Sequence, residues 1–372
     1  MAKRIIINVA NLHIGGGIQV ASSFIDELNL LLRENKIKKE FKFSVVFSNE
    51  VINSLSKETN LDYFDFYTVH DVWGMKKPDN AFFSYFDGHD LAFTIFGPVY
   101  HKLPVKKHIC GFAQAWIAYP HNLAFKHLSF IPRLKAKLKF ELQWHYFKRE
   151  SHLIVEQDHV KKALVANRAF NSKKITVVEN CVSSRYITES NVCYKPVDIK
   201  KDITIGIMGR AYSHKNIDIL PVVSSILLDS YGLNVQFTFT LTSGEMKELR
   251  FDSIHNFKTV GSLPVEQCVD FYREVDIVLF PSLLECYSAT PVEAMAMKVP
   301  VFASDLDFVK DVCSDFAFYF DPQDPASIAK VIFDGLSNSH LLEYNVDNAY
   351  LHVRSLPTAK DRAEQYVKLL TN

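Results

Sequence analysis

Hydrophobic positions in the first half of the chain form short β-branched or aromatic runs that alternate with stretches of helical periodicity. The pattern predicts helices at residues 18–33 and 159–166 and strands at residues 5–9, 43–47, 92–95, 107–113, 153–155 and 175–178. Strands that alternate with helices form parallel sheets covered on both faces. We therefore expect one doubly wound α/β domain here.

The same alternation restarts after a polar stretch, residues 183–201, which we interpret as a linker. It predicts strands at 203–208, 235–240, 259–260, 277–280 and 299–303, and helices at 217–228, 264–274, 290–297 and 325–336. Apolar positions over 350–370 indicate a terminal helix interrupted by Pro357. The sequence thus predicts an N-terminal domain at 1–185 and a C-terminal domain at 186–350.

Composition agrees with two folded domains and gives little information about partners. The chain has 372 residues, 48% of them hydrophobic, with 42 Lys plus Arg and 42 Asp plus Glu, so no overall field favours nucleic acid. Six cysteines without a C-x-x-C pair indicate neither a zinc cluster nor a disulfide framework. With no apolar run of about 18 residues, we expect a cytoplasmic protein.

Three loops that follow predicted strands carry residues suited to chemistry on phosphates and sugars. Gly15–Gly17 follow the first strand, and glycines before a helix let its N-terminus approach a phosphate. Arg210 and Lys215 follow the strand at 203–208, and two such cations could neutralise a diphosphate. A plain strand-to-helix turn and a solvated surface turn remain the alternative interpretations of these two loops.

The third loop contains two acids eight residues apart, Glu285 and Glu293. Glu293 is predicted to lie in the first turn of a helix that Pro291 helps to start, where an acid suits the helix dipole. The alternative is that Glu293 is only a helix-start acid and Glu285 only a surface acid.

Taken in order, these features resemble the retaining glycosyltransferases of GT-B architecture, family 4 (group 1), of the bacterial surface-polysaccharide type. The resemblance spans nearly the whole chain and is densest in the second half. Its motifs are G-R-x(4)-K at 209–215, V-G-S-L-P at 260–264, Y-R-E-V-D at 272–276, P-S-x(2)-E-x(7)-E-A-M-A at 281–296 and V-P-V-F-A-S at 299–304. Residues 178–182 are similar to the family's interdomain segment.

The resemblance implies two Rossmann-like domains facing across a cleft, with the terminal segment 351–372 returning to the N-terminal domain. It implies that Arg210 and Lys215 clamp the donor diphosphate without a metal and that Glu285 lies near the transferred sugar. No cofactor is implied. The resemblance also implies that the glycine loop, Gly16 and Gly17, approaches the donor and that Leu263 lies at the edge of the base. Backbone N–H groups of Ser288, Ala289 and Thr290 would contact phosphate and sugar, and Glu293 would hold the ribose hydroxyls.

The chain departs from the family at several positions. Cys181, Ser288 and Lys298 stand where the family commonly has glycine, and Ser288 could change how closely the backbone meets the donor. Gln114 stands in the stretch where the family often has a histidine near the reacting sugar. We expect Gln114 to contact acceptor or sugar, with an amide packed against Trp116 as the alternative.

The predicted activity is retaining, metal-independent hexosyl transfer from a nucleotide sugar, UDP- or GDP-linked, to a saccharide or lipid-linked oligosaccharide. We place it in the synthesis of O-antigen lipopolysaccharide, capsule or another surface polysaccharide. The departing diphosphate needs cations to stabilise its charge, whereas a hydrolase that uses two carboxylates would need no such cations. The alternatives are an epimerase or phosphorylase on the same architecture, and a nucleotide-sugar-binding subunit that is inactive or partner-dependent.

A basic, aromatic stretch at 126–149 bears on where the enzyme acts. Its Lys and Arg residues interleave with Phe130, Leu134, Leu138 and Trp144. Such a helix can lie on anionic lipid, which would give peripheral contact with the inner membrane face. A solvated helix covering the N-terminal sheet is the alternative interpretation.

Overall fold

The computed structural model describes residues 2–189, 192–264 and 267–372. The chain divides into two compact units. Unit 1 comprises Met1–Pro120, Leu134–Cys181 and Pro357–Asn372, and unit 2 comprises His121–Arg133 and Val182–Leu356.

The first part of the chain contains seven strands among its described residues. They are β1 Lys3–Val9, β2 Phe41–Phe47, β3 Phe66–Val69, β4 Leu91–Thr94, β5 Lys107–Phe112, β6 His152–Val155 and β7 Ile175–Val177. The helices between them are α1 Gly16–Arg33, α2 Asn49–Asn53, α3 Asn80–Ser84, α4 Ala115–Ala118, α5 Phe130–Phe147 and α6 Asp158–Arg168. The strands form one sheet in the order β3-β2-β1-β4-β5-β6-β7, and each pair is parallel.

The second part repeats this architecture with six strands among the described residues. They are β8 Ile203–Ile207, β9 Val235–Phe239, β10 Phe257–Thr259, β11 Ile277–Phe280, β12 Val301–Ser304 and β13 Phe318–Phe320. The helices are α7 Ser184–Thr188, α8 Leu220–Tyr231, α9 Ser243–Glu248, α10 Cys268–Glu274, α11 Ala289–Ala296, α12 Asp307–Cys313, α13 Pro325–Ser337 and α14 Ser339–Ser355. The order is β10-β9-β8-β11-β12-β13, all pairs parallel, and α15 Ala359–Thr371 ends the chain.

Each sheet is buried on both faces, which explains why its strands are apolar at successive positions. In β1, Ile5 and Ile7 join the core on one side while Ile6 joins the core on the other. In β11, Ile277 and Val278 face opposite cores in the same way. The α/β class with two parallel sheets, predicted from the alternation of elements, is confirmed.

The end of the chain differs from the single interrupted helix that the sequence predicts at 350–370. Two helices lie there, because Pro357 cannot continue α14 and Thr358 starts α15 with a capping box closed by Asp361. The apolar side of α15 joins the core of unit 1, where the Tyr366 ring meets Phe24 at 5.0 Å. Residues 351–356, predicted to pack back, instead finish α14 in unit 2.

Other boundaries also differ from the predicted ones. The polar stretch 183–201 is not only a linker, since it contains α7, whose Tyr186 is buried in unit 2. Residues 121–133 group with unit 2, where Lys126 donates to Gln323 Oε1 at 3.2 Å. The prediction from sequence missed β3 and β13: β3 is a four-residue edge strand with no buried position, and β13 is only three residues long.

Candidate active site

The strand order of unit 2 brings two of the candidate loops together. The order reverses between β8 and β11, which are neighbours in the sheet although β9 and β10 intervene in sequence. The loops after these strands therefore leave from the same edge, and Leu283 N–H donates to His214 C=O at 2.7 Å between them. Ligands of open parallel sheets bind at such a reversal.

Lys215 and Glu285 meet at this edge. Lys215 Nζ lies 2.6 Å from Glu285 Oε1, and both side chains are less than one-fifth exposed. The ammonium also lies 5.2 Å from the centre of the Phe280 ring. A diphosphate bound here would contact the Lys215 ammonium, which is shielded from water and is paired with the Glu285 carboxylate in this structure.

Arg210 is held beside this pair by a residue that the sequence did not single out. Its Nε donates to Glu245 Oε1 at 2.8 Å, and the same oxygen accepts from Ala211 N–H at 3.0 Å. The other oxygen of Glu245 closes a capping box with Thr242 at the start of α9. Burial opposes ionisation of Glu245, but these hydrogen bonds outweigh it and lower its pKa from 4.5 to about 2.

Glu293 lies in the second turn of α11, not the first, because the helix begins at Ala289. The Tyr272 hydroxyl donates to Glu293 Oε2 at 2.8 Å, and Tyr186 hydrogen-bonds the same carboxyl. Burial raises the pKa of Glu293 despite these two hydrogen bonds. Two tyrosines thus fix a carboxyl group that is available as an acceptor for hydroxyl groups.

The start of α11 supplies backbone donors at the same edge of unit 2. Ser288 is the N-cap residue, and Ala289 and Thr290 are the first two helical residues, whose N–H groups have no acceptor within the helix. Ser288 is 1% exposed, and its Oγ has no hydrogen-bond partner within the described residues. Leu263 is half-buried against the neighbouring core cluster.

In unit 1 the glycine loop leads from β1 into α1. Gly15 caps the helix with φ +78°, a conformation that favours glycine, whereas Gly16 and Gly17 are helical. A Cβ at Gly16 would have open space around it, while one at Gly17 would touch Leu12 at 3.4 Å. Gly16 is therefore required neither by its φ nor by packing, which is compatible with a ligand approaching its backbone.

Gln114 also lies at a strand end in unit 1, as the N-cap of α4 after β5. Its backbone carbonyl accepts from Ile117 and Ala118, while its side chain makes no capping hydrogen bond. Trp116, the alternative packing partner, stacks on Phe140 with ring centres 5.5 Å apart. The contact of Gln114 with acceptor or sugar stays a prediction.

His13, two residues before the glycine loop, ties that loop to its neighbours. Its Nδ1 lies 2.8 Å from Glu50 Oε2, its Nε2 lies 3.0 Å from the Val72 carbonyl oxygen, and Trp73 stacks on the ring at 3.6 Å. Asp71 is 3.9 Å away, so three metal-binding residue types cluster here. Both ring nitrogens lie within hydrogen-bonding distance of protein oxygens, which fixes the ring between the glycine loop and its neighbours.

Comparison with known proteins gives the site its context. Residues 195–352 match the family described as Glycosyl transferases group 1, a segment within unit 2 that contains Arg210, Lys215, Glu285 and Glu293. This segment is similar to the group 1 glycosyltransferases. The predicted resemblance is supported to that extent.

Two curated relatives are named as mannosyltransferases. The chain is 24% identical to the O-antigen chain mannosyltransferase RfbU of Salmonella typhimurium over 211 residues, 54% of this chain and 58% of that protein. It is 29% identical to the serotype-specific mannosyltransferase WbdA of Escherichia coli over 110 residues, 27% of this chain and 14% of that protein. The chain thus covers less than two thirds of the length of either relative.

Solved structures match the fold over almost the whole chain. Anabaena HepE, solved with UDP and glucose, has a TM-score of 0.70 at 13% identity and covers 99% of both chains. A glycosyltransferase from Rickettsia africae has a TM-score of 0.67 at 14% identity, covering 100% of this chain and 98% of that one. The fold is therefore that of the GT-B glycosyltransferases, as predicted.

No described helix combines the length and apolarity that crossing a membrane requires.

Proposed function

We propose that this protein is a retaining, metal-independent glycosyltransferase that moves a hexose, mannose in our proposal, from a nucleotide sugar to a saccharide or lipid-linked acceptor. The observation that carries the proposal is the Lys215–Glu285 pair at 2.6 Å, formed between the loops after β8 and β11. The similarity to group 1 glycosyltransferases and the names of the two mannosyltransferase relatives support it.

The proposed roles follow from where charge develops in the reaction. Breaking the bond between sugar and phosphate leaves negative charge on the diphosphate, which Arg210 and Lys215 would stabilise electrostatically. Freed from Lys215, Glu285 would face the positive charge that develops on the sugar ring. A metal has no place in this scheme, because the two side-chain cations supply the charge that a divalent ion would otherwise bring.

The other contacts complete the proposed donor site. Glu293, oriented by Tyr272, would accept hydrogen bonds from the ribose hydroxyls. Ser288, Ala289 and Thr290 would donate to phosphate or sugar, and Leu263 would lie against the base. Gly16, Gly17 and Gln114 remain proposed contacts contributed by unit 1, and a surface polysaccharide such as O-antigen remains the proposed product of a cytoplasmic reaction.

Donor binding can be tested by thermal shift with GDP- and UDP-linked mannose and glucose in the presence of EDTA. A ligand that binds only the native state raises the unfolding temperature. We expect a shift with the donors of one nucleotide, its loss in Arg210→Ala, and its retention in the control Lys258→Ala, an exposed cation of β10. No shift with any donor, or an equal shift in Arg210→Ala, would contradict the proposed site.

A further inference from the structure

One helix of this protein exposes a row of large apolar side chains to solvent. On α5, Phe130, Leu134, Leu138 and Leu142 follow one another at intervals of four, so they share one side of the helix. Their exposed fractions are 79%, 49%, 64% and 42%. Four such residues in one continuous row form a surface that a soluble helix does not need for its own packing.

The same helix is anchored through a different side. Trp144 and Phe147 are buried in unit 1, and the Phe140 ring stacks on Trp116. The helix therefore has two apolar rows, one that attaches it to the protein and one that faces outward. The alternative of a helix that merely covers the N-terminal sheet accounts for the first row and leaves the second without a role.

The charges around the outward row are mostly positive. Residues 91–140 contain no Asp or Glu but eight Lys or Arg, although the whole chain has equal numbers of cations and acids. Lys135, Lys137 and Lys139 are exposed on α5 itself. Glu141, the first acid of the helix, is paired with Arg168. The surface is thus basic as well as apolar.

We propose that this face of α5, comprising Phe130, Leu134, Leu138, Leu142, Lys135, Lys137 and Lys139, docks on an anionic lipid bilayer. Apolar side chains can enter the boundary between headgroups and acyl chains while lysines beside them reach anionic headgroups. A neutral surface would not use the positive charge, and an acidic protein partner would not require four exposed apolar side chains in a row. Lipid docking uses both properties and needs no donor, so it goes beyond the proposed function.

The test is co-sedimentation of the full-length protein with vesicles of phosphatidylcholine alone and of phosphatidylcholine with phosphatidylglycerol. We expect binding to the anionic vesicles and its loss in high salt. The triple variant Lys135→Gln/Lys137→Gln/Lys139→Gln should weaken binding to the anionic vesicles about a hundredfold, because each cation contributes roughly a factor of five to the affinity. Lys38→Gln/Lys39→Gln/Lys57→Gln, three exposed lysines elsewhere in unit 1, should bind as the wild type does.

A second variant tests the apolar row separately. Leu134→Gln/Leu138→Gln keeps good helix formers and should weaken vesicle binding at least tenfold. No vesicle binding by the wild type, or equal binding by the lysine variant and its control, would overturn the proposal. Sedimentation velocity without lipid tests for a dimer. A dimer that dissociates in Leu134→Gln/Leu138→Gln would assign the face to a second copy of the chain and would also overturn the proposal.

The same variants separate this proposal from the proposed function. None of the substituted residues belongs to the donor site, so each variant should keep the thermal shift of the wild type with nucleotide sugars. Vesicle binding without any nucleotide shift would contradict the transferase proposal alone. A nucleotide shift without vesicle binding would contradict the lipid surface alone.

Discussion

Three proposed functional side chains in unit 2 are each held by a hydrogen bond with a neighbouring side chain. Glu245 holds Arg210, Tyr272 holds Glu293, and Glu285 holds Lys215. Such supports reduce the conformational freedom that a ligand would otherwise have to remove on binding. The site therefore depends on Glu245 and Tyr272 as well, although neither is a proposed donor contact.

Glu245→Gln tests the support of Arg210. Because the pKa of Glu245 is lowered from 4.5 to about 2, its carboxylate stabilises the fold above pH 4.5, and this contribution is lost as the pH falls toward 2. At pH 7 we expect the variant to lose about 1–2 kcal/mol in urea unfolding. We also expect weaker nucleotide-sugar binding and a flatter stability profile between pH 4.5 and 2.

The matched control is Glu248→Gln, an exposed acid on the same helix. It should leave both stability and donor binding unchanged. Equal behaviour of the two variants would mean that Glu245 does not position Arg210.

Ser288→Ala should change stability and donor affinity in opposite directions. The buried Ser288 hydroxyl has no partner within the described part of the chain, so removing it should raise the free energy of unfolding by up to about 1 kcal/mol. If the hydroxyl binds the donor, its loss should weaken binding up to about tenfold.

Ser304→Ala is the comparison for Ser288→Ala, because the buried Ser304 hydroxyl donates to the Phe280 carbonyl and its removal should destabilise the protein. Calorimetric unfolding and donor titration measure the two effects. A Ser288→Ala protein that is more stable and binds donor as well as the wild type would exclude Ser288 from the donor site.

At the scale of elements, the site is built where strands of a parallel sheet end and helices begin. The loop after β8 carries Arg210, the loop after β11 leads into α11, and α9 follows β9 with Glu245 in its first turn. Since β9, β8 and β11 are consecutive in the sheet, these loops share one edge. The helix starts also supply unsatisfied N–H groups that suit an anion.

The first turn of α1 gives a matched pair of substitutions. Gly15→Ala places a side chain at φ +78° and should cost about 1–2 kcal/mol of stability. Gly16→Ala meets open space and should leave stability unchanged or slightly higher. Turnover of a nucleotide sugar should nevertheless fall in Gly16→Ala, if the donor or acceptor approaches that backbone.

Thermal unfolding and a turnover assay on both glycine variants decide this point. Full activity in Gly16→Ala would show that the added methyl group obstructs no ligand, and the glycine loop would then be only a turn between β1 and α1.

At the scale of the whole molecule, the sequence predicted most of the fold because its strands are buried on both faces and read as apolar runs. It predicted β1 and β11 well for that reason, and missed the exposed edge strand β3. The twin parallel sheets followed from the strand–helix alternation. The grouping of residues 121–133 with unit 2 could not be predicted from the sequence, because it depends on contacts between residues that are distant in sequence.

The candidate site was predicted only in part, for a similar reason. Arg210, Lys215, Glu285 and Glu293 stand in ordered motifs, so the sequence could name them. Glu245 could not be named as a partner of Arg210, because their meeting depends on β9 lying beside β8. The only local signal was the T-x-x-E pattern of a capping box, which marks a helix start and says nothing about Arg210.

We propose that unit 2 binds a nucleotide sugar through Arg210 and Lys215 and breaks its bond to phosphate. The most direct measurement is the release of nucleoside diphosphate from GDP- and UDP-linked hexoses in EDTA, by the wild type, Arg210→Ala and Lys258→Ala. We predict release from the donors of one nucleotide, unchanged in Lys258→Ala and at least about a hundredfold slower in Arg210→Ala. Release from no donor, or equal release by Arg210→Ala, would contradict the account.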